Sequence, residues 1–196
     1  MRMFRITNSV IGENINDEWI HFKDLNIDIN AFTIWSPSDS NVYRYEQAPA
    51  IYISGSANHH ERLLIDGCHF FNNYAANITV GNNVDLIITN TEVTECFKGC
   101  CTVVGSGCNI MIDNVRCDST HGFVAFWYEI NNAAETSPNY INISNCIFNG
   151  DIQGVTSSYG ELNISNTIIK ANNTVFVPKS GTVLRLNQVS FLNDNN

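Results

Sequence analysis

One phrase recurs along the chain and limits its fold more than any other feature. An apolar residue, a gap, a second apolar residue, another gap and an Asn-like residue are followed two positions later by a third apolar residue. The phrase reads Phe4-x-Ile6-x-Asn8-x-x-Ile11, Leu25-x-Ile27-x-Ile29-x-x-Phe32, Leu63-x-Ile65-x-Gly67-x-x-Phe70 and Leu86-x-Ile88-x-Asn90-x-x-Val93. It continues as Ile110-x-Ile112-x-Asn114-x-x-Cys117, Ile141-x-Ile143-x-Asn145-x-x-Phe148, Leu162-x-Ile164-x-Asn166-x-x-Ile169 and Leu184-x-Leu186-x-Gln188-x-x-Phe191. With the second apolar position as marker, the series 6, 27, 65, 88, 112, 143, 164, 186 has separations of 21, 38, 23, 24, 31, 21 and 22 residues.

Alternation with period 2 describes a strand with one buried face, and helical caps and 3.6-residue periodicity are absent. A second short strand accompanies most phrases, at Ile20/Phe22, Ile51/Ile53, Ile78/Val80, Val103, Val124/Phe126, Val155 and Val175/Val177. A single coil with two strands and Asn or Gly at its corners has no means of covering its inward face. Coils stacked in parallel at about 4.8 Å do so by making one continuous core. The expectation is an all-β parallel β-solenoid, a single domain over 1–196 with about 7–8 rungs of roughly 22 residues. Loops are inserted at about 33–50 and 131–139, where the separations lengthen. Right-handed coiling follows from parallel crossover sterics. The Asn column (Asn8, Asn90, Asn114, Asn145, Asn166) has a physical reason: Asn tolerates a left-handed corner, and stacked amides bond from rung to rung. Gly67 and Gln188 occupy the same column.

Composition limits the partners. Ten Lys plus Arg against nineteen Asp plus Glu give a formal charge of −9, which argues against a nucleic-acid footprint. The longest apolar run, Phe123 to Tyr128, is too short to cross a membrane. Met1 to Val10 has no continuous apolar stretch of the secretory kind, so the expectation is synthesis in the cytoplasm with export, if any, by another route. Seven cysteines, two of them adjacent at Cys100 and Cys101, read as reduced, packed thiols rather than a disulfide framework. Cys96, Cys100, Cys101 and Cys108 have a spacing that fits no common zinc pattern, and no metal or cofactor is expected. The sequons beginning at Asn77, Asn142, Asn163 and Asn172 read as repeats of one Asn-Ile-Ser/Thr-like phrase rather than as glycosylation sites.

Phrases such as Ile141-Asn142-Ile143-Ser144-Asn145-Cys146-Ile147-Phe148 resemble the rung consensus of right-handed single-stranded parallel β-helices of the pectate-lyase-like class, which includes polysaccharide lyases, polygalacturonases, uronan epimerases and bacteriophage tailspikes. The resemblance spans nearly the whole chain and speaks to fold. It implies structural roles for the Asn column and for the small-residue column Cys68, Thr91, Val115, Cys146 and Thr167. The catalytic patterns of the lyases and epimerases are missing. His121, in Asp118-Ser119-Thr120-His121-Gly122, is similar to part of the polygalacturonase Gly-His-Gly, but that family's paired Asp and Arg-Ile-Lys elements are absent. Tailspikes place their acids idiosyncratically, so this resemblance implies a virion or surface spike that recognises bacterial surface polysaccharide. It also implies a homotrimer or larger assembly, and cleavage, where it occurs, by a glycoside hydrolase or polysaccharide lyase. A non-enzymatic spacer or assembly module and a monomeric carbohydrate-active enzyme are the alternatives.

The residue after each marker reads Thr7, Asp28, Asp66, Thr89, Asp113, Ser144, Ser165, Asn187, which puts three carboxylates in one outward column. At about 4.8 Å per rung, Asp28 and Asp66 would stand near 5 Å apart and Asp66 and Asp113 near 10 Å, beside the spacings of retaining and inverting glycosidases. Solvated turn acids would produce the same column. His59, His60 and His121 are candidate general bases, and Glu129 is a further candidate catalytic residue. The insertions supply aromatics beside acids: Trp35, Tyr43 and Tyr45 in the first, and Trp127, Tyr128 and Glu129 ahead of the second. Rings of this kind either stack on a sugar or pack their loops onto the body.

Overall fold

The computed structural model describes residues 4–7, 19–28, 50–73, 77–96, 99–118, 126–129, 137–149, 152–156, 160–170, 175–178 and 182–192; over 4–7, 126–129, 152–156 and 175–178 it describes the backbone. Within these residues every regular element is a strand and every strand pairing is parallel. The phrases therefore build a parallel β-solenoid, as their period requires.

Each coil carries three strands, numbered here in chain order, where alternation alone reveals two. The first column is β1 (Phe4–Thr7), β4 (Ile51–Ser54), β7 (Ile78–Val80), β10 (Cys101–Val103), β13 (Phe126–Glu129), β16 (Ile152–Thr156) and β18 (Val175–Pro178), hydrogen-bonded in that order. The middle column is β2 (Ile20–Lys23), β5 (Glu61–Asp66), β8 (Val84–Thr89), β11 (Asn109–Asp113) and β14 (Asn139–Ser144), continued by the first halves of β17 (Gly160–Lys170) and β19 (Thr182–Leu192). The third is β3 (Asn26–Asp28), β6 (His69–Asn73), β9 (Glu92–Cys96), β12 (Arg116–Asp118) and β15 (Ile147–Asn149), joined by the second halves of β17 and β19. Each phrase thus spans two strands, with its Asn-like residue at the bend between them. Counted as turns of described chain, the solenoid has about four, short of the seven or eight expected, while the first column stands seven strands high.

The bend is built by backbone conformation. Asn90, Asn114, Asn145, Asn166 and Gln188 have φ of 50, 52, 54, 47 and 53°, and Gly67 has 64°. This is the left-handed region, which Asn and Gly enter at least cost. Their backbone N–H groups donate upward to the next coil: Gly67 to the Thr89 carbonyl at 3.2 Å, Asn90 to Asp113 at 3.3 Å and Asn114 to Ser144 at 3.1 Å. The side chains do the reverse, Asn114 Nδ2 donating to Asn90 Oδ1 at 2.8 Å and Asn90 Nδ2 to Asp66 Oδ1 at 2.8 Å. At the corner between the first and middle columns, a Cβ on Gly105 would lie 2.2 Å from the Gly81 carbonyl carbon, so only Gly lets these two turns stack.

The first coil corrects the expected alignment. Phe4–Thr7 pairs with Ile51–Ser54 in the first column, Ile20–Lys23 with Leu63–Asp66 in the middle one, and Ile27 with Phe70 in the third. The true opening phrase is Ile20-x-Phe22-x-Asp24-x-x-Ile27, with Asp24 at φ 52° filling the Asn position. Alternation is the same in every column, so period alone does not separate them; the left-handed corner does. Asn8 lies outside the described residues.

The core is a set of apolar ladders running up the axis. Leu63, Leu86, Ile110, Ile141 and Leu162 form one, Ile65, Ile88, Ile112, Ile143 and Ile164 a second, and Phe70, Val93, Cys117, Phe148 and Ile169 a third; all are buried. Each large side chain contributes about 1.5–3 kcal/mol by leaving water. Cys68, Thr91, Val115, Cys146 and Thr167 are buried just after the corner, as the small-residue column requires. Thr91 Oγ1 and Thr167 Oγ1 accept the backbone N–H of Cys68 and Cys146 at 3.4 and 3.3 Å. All seven cysteines are buried and none is in a disulfide. Asn77, the first sequon residue, is fully buried and donates Nδ2 to the Gly99 carbonyl at 3.0 Å, a structural role.

Candidate binding face

The outward side chains of the middle column form one lateral face, because in β5 and β8 buried and partly exposed residues alternate strictly. Strand register resolves this face into three rows parallel to the solenoid axis. The first reads Arg62, Asp85, Asn109, Tyr140, Glu161, Val183, and the second His21, Leu64, Ile87, Met111, Asn142, Asn163, Arg185. The third reads Lys23, Asp66, Thr89, Asp113, Ser144, Ser165, Asn187. A stripe of Leu64, Ile87 and Met111 is therefore bordered on both sides by polar and charged groups. Met111 is 42% exposed, and Tyr140, diagonal to it across the first row, is 44% exposed.

Bonds between coils hold the border side chains in place. Asp85 Oδ1 accepts from Asn109 Nδ2 at 2.8 Å and lies 3.2 Å from His60 Nδ1, while Asp85 Oδ2 accepts from Arg62 Nε at 3.3 Å. On the opposite row Asp66 Oδ1 takes the Asn90 amide at 2.8 Å, and Asp113 Oδ1 takes Ser144 Oγ at 2.6 Å and Asn145 Nδ2 at 2.7 Å. Farther along, Asn163 Nδ2 donates to Asn142 Oδ1 at 2.9 Å, and Arg185 Nη1 bonds Glu161 Oε2 and, at 3.3 Å, Asn163 Oδ1. Fixed side chains of this kind lose little further entropy when a ligand is bound.

The structure divides the expected catalytic acids. Asp66 and Asp113 do share a row, with Thr89 between them. Two levels at about 4.8 Å put them near 10 Å apart, just past the inverting range of about 6.5–9.5 Å. Asp28 is not in that row: its partner in the next coil is Phe71, on the third face, and Asn72 Nδ2 donates to it at 3.0 Å. The expected close pair of Asp28 and Asp66 is therefore absent, because the alignment slips by one strand in the first coil. Each of the three carboxylates accepts an amide from the following coil, so the acids also serve as scaffold.

The aromatic candidates belong elsewhere. Trp127, Tyr128 and Glu129 lie in β13 of the first column, where Trp127 pairs with Thr102 and Tyr128 with Val103. That strand column is not the one that carries Asp66 and Asp113. Trp35, Tyr43, Tyr45 and His121 lie outside the described residues, as do most of the two insertions. On the third face the rings of His69 and Phe71 stack with centroids 4.9 Å apart, and His69 Nε2 is 2.8 Å from Thr94 Oγ1. The Arg62–Asp85–Asn109 border and the apolar stripe were missed by a reading confined to the residue after each marker. Reading the residues before and between the two apolar positions of each phrase would have found both.

Among the described residues no group of three or more His, Cys, Asp or Glu is arranged to hold a metal ion. Comparisons with protein-family models, with curated proteins and with solved structures find no match for the chain.

Proposed function

We propose that the face formed by the middle strand column binds an extended polysaccharide lying along the solenoid axis. The observation that carries this reading is the apolar stripe Leu64–Ile87–Met111 between two polar rows whose side chains are already fixed. A pyranose ring presents an apolar face edged by hydroxyls. It would set the apolar face on the stripe and exchange hydrogen bonds with Asp85, Asn109 and Tyr140 on one side and with Asp66, Thr89 and Asp113 on the other. The levels repeat at about 4.8 Å, close to the length of one sugar unit, so successive units meet equivalent positions.

The resemblance to tailspikes extends the proposal to a virion or surface β-solenoid that recognises bacterial surface polysaccharide as a homotrimer or within a larger assembly. Depolymerisation would fall to Asp66 and Asp113. Their engagement by Asn90, Ser144 and Asn145 favours a second reading, in which the face binds without cleaving or the solenoid is a structural rod.

The test is binding of the full chain to a panel of bacterial capsular and O-antigen polysaccharides, with Met111→Glu and Ile87→Glu as probes. Loss of binding in both variants at unchanged melting temperature is the expected result. Polysaccharide binding that both variants retain, or no binding to any member of the panel, refutes the assignment of this face. If binding is found, release of reducing or unsaturated ends by the wild type but not by Asp66→Asn separates hydrolysis or elimination from plain recognition.

A further inference from the structure

Three thiols meet inside the solenoid where the coil of β7, β8 and β9 lies against that of β10, β11 and β12. Cys96 closes β9, Cys117 is the middle residue of β12 in the coil above, and Cys100 immediately precedes β10. All three are buried and none is in a disulfide. Cys96 Sγ lies 3.9 Å from Cys117 Sγ, and Cys100 is a further side-chain neighbour of Cys117. Other thiols of the core bond mainly to carbonyls: Cys108 Sγ to Gly81 O at 3.0 Å, Cys146 Sγ to Ser144 O at 2.9 Å, and Cys68 Sγ to Phe22 O at 3.5 Å. Cys96 Sγ likewise reaches a carbonyl, that of Asp118 at 3.8 Å, but it and Cys117 also bring their sulfurs together.

We propose that Cys96 and Cys117 are an oxidative modification site, in which a peroxide converts the thiol pair into a disulfide that staples two successive coils. The reasoning rests on distance and position. Two sulfurs at 3.9 Å are in van der Waals contact, and a disulfide of about 2.05 Å is reached by side-chain rotation where the backbones are already neighbours. Cys117 stands in register with Val93, three positions before Cys96, so the two cysteines are diagonal neighbours on successive coils, and it is the 3.9 Å between their sulfurs that brings the pair within reach of a bond.

The electrostatics give the two sulfurs different roles. Hydrogen bonding from Cys117 lowers the pKa of Cys96 below its ordinary value. Cys117 is held well above its own by its thiol neighbours Cys100 and Cys96 and by burial, so it stays protonated. Cys96 is then the more readily ionised of the two, and its thiolate, formed as the coil opens, is the attacking sulfur. It displaces hydroxide from hydrogen peroxide and becomes a sulfenic acid, and the hydroxide takes up a proton to leave as water. Cys117 sulfur next attacks the Cys96 sulfur, the S–O bond breaks, and the departing hydroxyl leaves as a second water with the Cys117 proton. Two thiols and one peroxide give one disulfide and two waters. Because both sulfurs are buried, the reaction runs through local opening of the coil and is slow compared with that of an exposed thiol.

The experiment treats the full chain with a small excess of hydrogen peroxide, denatures it, blocks remaining thiols with N-ethylmaleimide and maps the digest by mass spectrometry. The expected product carries five blocked cysteines and one disulfide joining Cys96 to Cys117, with a higher melting temperature that dithiothreitol reverses. In Cys117→Ser, the sulfenic acid at Cys96 persists and is trapped by dimedone. Seven blocked cysteines after treatment overturn the proposal, as does a disulfide mapped to Cys100 and Cys117 or to any other pair. The map of the wild-type chain decides the matter even if Cys117→Ser does not fold.

Discussion

Asn114 offers the sharpest test of how the corners are built. Its φ of 52° is left-handed, and its Nδ2 donates to Asn90 Oδ1 at 2.8 Å on an exposed edge. Replacing it with Ala removes the amide bond, worth about 0.5–1 kcal/mol at such a site. It also forces a Cβ-bearing residue without a local hydrogen bond into a conformation that costs about 1–2 kcal/mol. Replacing it with Gly loses the same bond but relieves the strain, at about 0.5–1 kcal/mol of extra chain entropy. Asn114→Ala is therefore expected to cost about 1.5–3 kcal/mol and Asn114→Gly about 1–2 kcal/mol. The control is Asn163, mid-strand in β17, whose amide also bonds between coils, to Asn142 at 2.9 Å. There φ is not left-handed and the order must invert, Gly costing about 0.5–1 kcal/mol more than Ala. At about 2–4 °C per kcal/mol for a chain of this size, the four variants separate in thermal melts followed by circular dichroism. If Ala is tolerated better than Gly at Asn114 as it is at Asn163, the corner does not select its residue by backbone conformation and the account of the Asn column is wrong.

Other expectations follow from the core. Phe148 is fully buried between the levels of Cys117 and Ile169, so Phe148→Ala should cost about 3–5 kcal/mol in denaturant titration. A loss under 1 kcal/mol would mean that the third-column ladder is not close-packed. The buried Cys146 thiol has its pKa pushed up to about 12 by desolvation. The folded state then keeps a proton that the unfolded chain releases near pH 9. The contribution is intact below pH 9 and drains away as pH rises toward 12, at up to about 1.4 kcal/mol per unit. Cys146→Ala should show a shallower alkaline decline, and superimposable pH profiles would argue against this titration. Light scattering over a concentration series checks assembly: a sharp trimer agrees with the spike proposal, while a monomer at all concentrations contradicts it.

From Leu63 onward, the columns could be read from residue spacing because their alternation is uninterrupted and each bend carries Gly67, Asn90, Asn114, Asn145, Asn166 or Gln188. The first coil was misread because Phe4-x-Ile6 and Leu25-x-Ile27 alternate as well as any true phrase, and Asp24 does at its bend what Asn does elsewhere. The third strand was hidden by its length: β12 and β15 have three residues each, too few to display a period. The candidate binding face is only half legible. Its acidic row falls at one fixed offset from the marker, whereas the Arg62–Asp85–Asn109–Tyr140 row changes residue type at every level. That row too sits at one fixed offset, directly before the first apolar position of each phrase, but without a repeated residue type nothing in the sequence marks it out.

The amide ladders join residues 24 apart at Asn90 and Asn114 and 21 apart at Asn142 and Asn163, so each coil is bonded to the coil directly above or below it. Length is consequently a free parameter of this architecture. Duplicating or deleting one whole coil, cut at equivalent corner positions, would leave every remaining junction chemically the same and change the protein's height by one strand spacing. Under mechanical load along the axis, such a stack would release its coils one after another in a sawtooth of similar forces.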